Sequence, residues 1–376
     1  MKLKGNPDSS INNSPVLSPE KSGLCYFPPL PNSESDFEYG IILRMKVSEL
    51  GEFGLIDLLA KMIAESQDNQ PGYPSFTVGI GDDAAAWQTR APNQLATVDS
   101  LIEDVHFSFG NISWQELGWK SLAVNLSDIA AMGGAPEYAL ISLGLPEKTE
   151  VEDITSFYQG MMELAQKFNV SLAGGDTCQS PVVMITVAVL GTGQETLLRR
   201  STASPGDIIA VTGHLGGAAA GLDILTSKLS LAPATTTALR EAFNKPFPRV
   251  AEGQLLVKQG IRTAIDISDG FLADLRHIGQ MSRVSARVDI DLIPIYPPVK
   301  EVYGDRALEM ALSGGEDYEL LFTGADSDIE KFRAEASCPV TVVGEITRDS
   351  PGEISLFDKN GQPFRIKQTG WEHFKK

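Results

Sequence analysis

The chain has 376 residues, 42% hydrophobic and 21% charged, enough for two domains that each bury a core. A formal net charge of −18 excludes a nucleic-acid partner, because no basic stripe remains to meet phosphates. Three cysteines without CxxC spacing, Cys25, Cys178 and Cys338, exclude a disulfide framework or structural zinc and fit a reducing cytoplasm. Along the chain, residues 1–44 come first: rich in Pro, Ser and Asn, without periodicity, they are expected to be a disordered extension. They lack the basic-then-apolar order of a secretory signal, and no apolar run in the chain reaches the roughly 18–20 residues of a membrane span. Met45 opens the patterned sequence, so the tail reads as a start-site or spacer feature; with little arginine it fits a targeting tail less well. Helical spacing follows over 53–64, then a strand at 95–98 and a helix over 114–132 stopped by Gly133-Gly134. Strands at 138–145, 170–173 and 182–191 alternate with a helix over 151–168. Beyond a boundary at about 196–206, strands at 208–212, 264–267 and 318–322 and a helix over 271–281 continue an α/β pattern.

Acids recur on this pattern beside glycines or on shared faces. Gly79-Ile80-Gly81-Asp82-Asp83 sets paired acids in a flexible turn, which suits a hard cation or is an ordinary aspartate turn. Strand alternation puts Thr97 and Asp99 on one face with Val98 opposed, half of an octahedral magnesium site at a strand end. His106 follows, as a phosphate-orienting group or simply a satisfied histidine. Ser121, Asn125 and Asp128 form a polar stripe on the helix over 114–132, opposite Leu122, Leu126 and Ile129. Asn and Asp have poor mid-helix propensity, and Asp128 comes too late for an N-cap, so a buried metal is the expected reason for it. Gly174-Gly175-Asp176 ends a strand with glycines that admit a phosphate and an acid that reaches a metal. Asp266 and Ser268 share a strand face, and Asp269-Gly270 then opens a helix at which Asp269 is a metal ligand or the cap. Ser313-Gly314-Gly315-Glu316-Asp317-Tyr318-Glu319 again sets glycines before acids. The turn Gly213-His214-Leu215-Gly216-Gly217 is a weak dinucleotide fingerprint with the wrong glycine spacing.

Two like charges about 4 Å apart repel by roughly 4 kcal/mol at an effective dielectric near 20, so acids converging on one cleft require cations. Walker A, HRD and DFG signatures are absent from the sequence. A nucleotide enzyme built on this chain must therefore hold phosphates through metals and glycine backbone.

Taken in order, 79–84, Thr97 and Asp99 with His106, 125–134, 174–177, 199–207, 266–270 and 313–320 resemble the thiamine-monophosphate kinase family of the aminoimidazole ribonucleotide synthetase superfamily. The resemblance runs from Met45 to the end, and its long matches are Asn125-Leu126-Ser127-Asp128-Ile129-Ala130-Ala131-Met132-Gly133 and Ser313-Gly314-Gly315-Glu316-Asp317-Tyr318-Glu319-Leu320. It implies an α/β (α+β) fold. An N-terminal ATP- and metal-binding domain over 45–200 would form a β-barrel flanked by helices and completed by the second subunit of a homodimer. A C-terminal α/β sandwich would span 201–376. The implied reaction is ATP-dependent phosphorylation of thiamine monophosphate to thiamine diphosphate, a step of thiamine diphosphate biosynthesis, by direct in-line transfer with several magnesium ions.

The same resemblance implies Asp83, Thr97, Asp99, Asp128, Asp176, Asp266 and Asp269 as metal ligands, with Val98 contributing only through its backbone. It implies Gly175, Asp176, Arg200, Ser268 and Tyr158 as ATP contacts, and His106, Glu316 and Trp371 as contacts to thiamine monophosphate. Trp371 would stack on a substrate ring, or else is a core tryptophan. Asp99, Asp128, Asp176 and Arg200 would carry the catalysis. The extension over 1–44 departs from the family. A sister enzyme such as selenophosphate synthetase needs a reactive Cys in a glycine-rich context, which Cys25 lacks. A calcium-binding protein would need an EF-hand loop, and none is present.

Overall fold

The computed structural model describes residues 46–50, 52–67, 91–227, 229 and 231–366. The expected disorder of 1–44, the Asp83 turn and Trp371 lie outside the described residues. Short helix α1 (Val47–Leu50) leads into α2 (Glu52–Gln67), which carries the helical spacing of Leu55, Leu59 and Met62 inward. Strand β1 (Asn93–Ile102) outlasts its expected end at Val98, because every residue from Asn93 to Ile102 pairs with β4 (Met184–Gly193). Asp99 therefore sits inside a strand. Between them come α3 (Trp114–Ala131), β2 (Ala135–Leu145), α4 (Val151–Phe168) and β3 (Ser171–Gln179). β3 also outlasts its expected end, running through Gly174-Gly175-Asp176; a register slip at Ala139/Leu140 of β2 leaves Ala173 unpaired, and both glycines then pair in register with Leu140 and Ile141. The sheet order is β1-β4-β2-β3, with β2/β3 parallel and the other pairs antiparallel. β1 and β3 are its edges, and the described residues close no barrel.

The second half contributes β5 (Ile208–Thr212), α5 (Gly217–Ser227), α6 (Pro233–Asn244), α7 (Val250–Lys258), β6 (Thr263–Asp266), α8 (Phe271–Ser282) and β7 (Ser285–Asp289). After these come α9 (Pro297–Tyr303), α10 (Ala307–Ser313), β8 (Leu320–Gly324), α11 (Asp326–Glu335), β9 (Val340–Thr347), β10 (Ile354–Phe357) and β11 (Pro363–Phe364). Its mixed sheet has the order β11-β10-β7-β9-β5-β8-β6. The strand expected from Tyr318 begins at Leu320, because Glu316 and Tyr318 take positive φ (67° and 50°), which no strand accepts.

Helix α3 is the seam of the molecule. It touches β1, β2 and β4 on one side and β6, α6 and α7 on the other. A helix covered on both sides is apolar nearly all round: Leu117, Leu122, Leu126 and Ile129 are each at most 1% exposed, and full burial of such a side chain contributes about 1.5–3 kcal/mol. Its start is fixed by a capping box, in which Ser113 Oγ accepts from Glu116 N–H (3.2 Å) and Glu116 Oε2 accepts from Ser113 N–H (2.8 Å). α3 and α4 cross so closely that a Cβ at Gly118 would lie 1.8 Å from the Phe157 carbonyl oxygen, and one at Gly160 equally close (1.8 Å) to that of Gln115. The main core cluster consequently runs without a break from Leu122 and Ile141 in the first half to Ala264 and Phe322 in the second. Among the described residues no helix is long and apolar enough to cross a membrane.

Candidate active site

The seam places acids from three elements side by side. Ser127 Oγ on α3 donates to Asp266 Oδ2 on β6 at 2.8 Å, inside the core. Next along α3, Asp128 accepts a hydrogen bond from Thr97 Oγ1 of β1. Asp99 follows Thr97 on the same strand face. Exposure is graded along this line: Asp99 keeps an exposed edge but its carboxyl is partly desolvated, Asp128 is half-buried, and Asp266 is 2% exposed. Desolvation, then the Asp128 charge, push Asp99 up to about 6. Burial raises Asp128, against the Thr97 hydroxyl and the Arg200 guanidinium. Burial and the Asp128 charge raise Asp266 as well, again against Ser127 and Arg200. Among the described residues none of these three carboxylates forms an ion pair. Crowded carboxylates raised in this way are hard oxygen donors of the kind that suits a divalent cation.

The polar stripe of α3 divides. Ser121 Oγ donates to the Gly118 carbonyl (3.0 Å) and Asn125 Nδ2 to that of Ser121 (3.1 Å), so both serve the helix itself. Only Asp128 reaches the acid face. Ser127, absent from the sequence stripe, is the α3 hydroxyl that meets Asp266; its one-residue offset from Asp128 hid it.

A second group stands at the start of α8. Ligand atoms of Asp269, Asp274 and His277 all lie within 4.8 Å of one another. Asp269 was visible in the sequence; Asp274 and His277, one turn apart on a helix, were not singled out. Asp269 is not the helix cap. That position belongs to Gly270, and Asp274 Oδ2 instead accepts from the N–H groups of Ser268 (3.2 Å), Asp269 (3.2 Å) and Gly270 (3.1 Å). Asp274 thus holds the turn that leads into α8. Burial, then Asp266 and Asp269, push Asp274 up to about 8.

The 313–319 loop shows the same economy. Asp317 accepts from Gly216 N–H (2.6 Å) and Ala218 N–H (3.0 Å), filling the N-terminus of α5 where the dinucleotide-like turn lies. Glu319 pairs with Arg249 through both nitrogens (2.7 and 2.6 Å) and accepts from Thr212 Oγ1 (2.6 Å). Glu316 Oε2 meets Lys120 Nζ at 3.1 Å, a lysine on α3 that the sequence pattern did not mark. Tyr318 N–H donates to the Ile267 carbonyl (2.9 Å) and Glu316 N–H to that of Ser268 (2.8 Å), stitching the loop to the Asp266–Gly270 turn. Burial and then Glu316, Asp266, Asp99 and Asp128 hold the Tyr318 phenol far above its ordinary range, which marks it as a neighbour of the acid face.

Other expected residues fall elsewhere. Register pairs Asp176 with Ser142, Ser142 with Thr186 and Thr186 with Ser100, whereas Asp99 shares its row with Val187, Ile141 and Gly175. Asp176 therefore projects from the sheet face opposite Asp99, with about 14 Å between the edge strands. A Cβ at Gly175 would sit 1.7 Å from the Ile141 carbonyl oxygen, so strand packing alone demands that glycine. Tyr158 is 6% exposed within the core, its ring edge-on to Phe157 (5.5 Å). His106 Nδ1 accepts from Ile102 N–H (3.1 Å) at the end of β1. Arg200 is exposed, near enough for its charge to act on Asp128 and Asp266. Val98 is 61% exposed on the outer face of β1. A cavity of ≈ 640 Å³ opens between the ends of β2 and β4 and helix α7, lined by Ala135, Thr192, Glu195, Gln254 and Arg262 among others, and includes none of these acids. The acid face, rather than this cavity, has the chemistry of a site, since metal-bound phosphates need hard oxygens more than an enclosed volume.

Residues 81–194 match the family model "AIR synthase related protein, N-terminal domain", and residues 204–356 match "AIR synthase related protein, C-terminal domain". The thiamine-monophosphate kinase of Bacillus subtilis (strain 168) is 36% identical over 316 residues, 81% of this chain and 95% of that protein. The solved thiamine-monophosphate kinase of Stenotrophomonas maltophilia K279a superposes with a TM-score of 0.73 at 36% identity, over 81% of this chain and 96% of that one. AaThiL complexed with AMPPCP and TMP gives 0.68 at 33%, over 88% and 99%.

Proposed function

The chain belongs to the thiamine-monophosphate kinase family of AIR synthase related phosphotransferases, and on that premise we propose that its acid face transfers the γ-phosphoryl group of ATP directly and in line to thiamine monophosphate. The observation that carries this reading is the convergence of Asp99, Asp128 and Asp266 from three elements, with the Arg200 charge acting on the last two. Their all-oxygen donor set, with Thr97 beside it and Asp269, Asp274 and His277 nearby, fits magnesium. Magnesium held there supplies charge screening for two anionic substrates and stabilisation of the leaving diphosphate.

The chain's own groups do the rest. The Thr97 and Ser127 hydroxyls fix the Asp128 and Asp266 carboxylates by donating to them. Arg200 directs positive charge toward the same pair, a fit for the transferring group. The attacking phosphate oxygen is already ionised at neutral pH, so no general base is required. Gly175, Arg200 and Ser268 remain the proposed ATP contacts, and His106 and Glu316 the proposed contacts to thiamine monophosphate, with Asp83, Asp176 and Trp371 proposed from the sequence alone. Tyr158, 6% exposed and edge-on to Phe157, is likewise an ATP contact proposed from the sequence alone.

The chain reads as two domains over 45–200 and 201–376, and as a homodimer. Support for the dimer comes from β1, whose Ala96, Val98 and Ser100 face solvent beside exposed Met184 of β4. A second copy on that face would complete a barrel, and Asp176 stands on it too. Incubation with magnesium-ATP and thiamine monophosphate tests the reaction: ADP and thiamine diphosphate are expected in equal amounts. ATP hydrolysis without thiamine diphosphate would refute it.

A further inference from the structure

Lys120 is buried as few lysines are. Its side chain is 1% exposed, on α3 about two turns before Asp128. Its Nζ stands 3.1 Å from Glu316 Oε2 and 3.5 Å from the centroid of the Phe243 ring on α6. Burial disfavours the ammonium, and Glu316 restores it. The partner is not buried to match, since Glu316 keeps 29% of its side chain exposed. A buried ion pair adds little net stability, because desolvation takes back most of the Coulombic gain. This pair is sealed on the cation's side and open on the carboxylate's, so it holds a carboxylate in place without closing the site. The backbone agrees: Glu316 sits at φ 67°, tied through its N–H to the Ser268 carbonyl at 2.8 Å, beside the Asp266–Gly270 turn.

We propose that Lys120 is a positioning residue for thiamine monophosphate, fixing the Glu316 carboxylate where it meets the permanent cation of the thiazolium ring. The inference rests on the reading of Glu316 as a contact to that substrate. ATP carries no such cation, so the pair acts on one substrate only. Steady-state kinetics of full-length Lys120→Met, Lys120→Arg, Glu316→Gln and the Met/Gln double variant test it. Lys120→Met is expected to raise KM for thiamine monophosphate on the order of tenfold, the scale of one lost charge-assisted hydrogen bond, with KM for ATP unchanged. Glu316→Gln should do the same, the double variant no worse than the worse single, and Lys120→Arg should fall between wild type and Lys120→Met. A merely structural strut would move both KM values together, or lower only the melting temperature, or give additive losses; each of these overturns the proposal. Should Lys120→Met not fold, Lys120→Arg decides: a rise confined to thiamine monophosphate supports the proposal, and an unchanged or shared KM overturns it. A wild-type chain that makes no thiamine diphosphate fails the reaction itself, whereas a wild type that turns over beside insensitive variants fails only this inference.

Discussion

Asp99 and Asp128 carry charge that no described lysine or arginine pairs with, and that fact sets what their loss should do. Asp99→Asn and Asp128→Asn are each expected to lower kcat at least about 100-fold. The metal-free melting temperature should hold or rise, because a like-charge repulsion is removed. Near-normal turnover, or unfolding in step with lost activity, contradicts the site. Residue spacing made much of this legible: strand alternation found Thr97 with Asp99, and poor helix propensity singled out Asp128. It did not find Ser127, Lys120 or Asp274. Ser127 and Lys120 earn their places by contacts 139 and 196 residues away in sequence, and a local pattern holds no trace of such distances. Asp274 looked like an ordinary first-turn helix acid.

At the scale of elements, Asp317 occupies the start of α5, and Asp274 holds the turn that leads into α8. Asp317→Ala should therefore destabilise the chain by about 1–2 kcal/mol, as the loss of a helix-start acceptor does. The urea midpoint reads this, and an unchanged midpoint contradicts it. Gly175→Ala should cost more, about 3 kcal/mol or above, because its Cβ would strike the β2 backbone. Thermal melts of the variant test that, and wild-type stability would mean β2 and β3 part easily. The limits of α3 and α4, which carry capping boxes at their starts, were legible to within a residue, whereas the spacing over 53–64 stopped three residues short of the end of α2. Strand limits were not. β1 and β3 continue past Val98 and Ala173 because partners pair with them, and pairing is not written in a strand's own residues.

Across the whole molecule, the raised acids make stability depend on pH and metal together. Asp99, Asp317 and Asp274 are pushed to about 6, 7 and 8. Each keeps its proton in the folded chain where the unfolded chain has lost it. Their contribution is thus full below the ordinary value of 3.8 and is lost as pH rises toward 8. The metal-free melting temperature should fall between pH 5 and pH 8. Magnesium at the acid face competes with the Asp99 proton, so the stabilisation it adds should be larger at pH 8 than at pH 5. Equal magnesium shifts at the two values contradict this. The α/β class was legible from alternating strands and helices, whereas the seam along α3 was not, because it is a meeting of halves distant in sequence. The central claim is that acids meeting at this seam drive a metal-dependent transfer to thiamine monophosphate. The most direct measurement is thiamine diphosphate formation over a magnesium titration, in wild type and Asp128→Asn. The account predicts no product without a divalent cation, saturable product with it, and a loss of at least about 100-fold in the variant at saturating magnesium. Metal-independent product, or an Asp128→Asn variant that keeps pace with wild type, would contradict it.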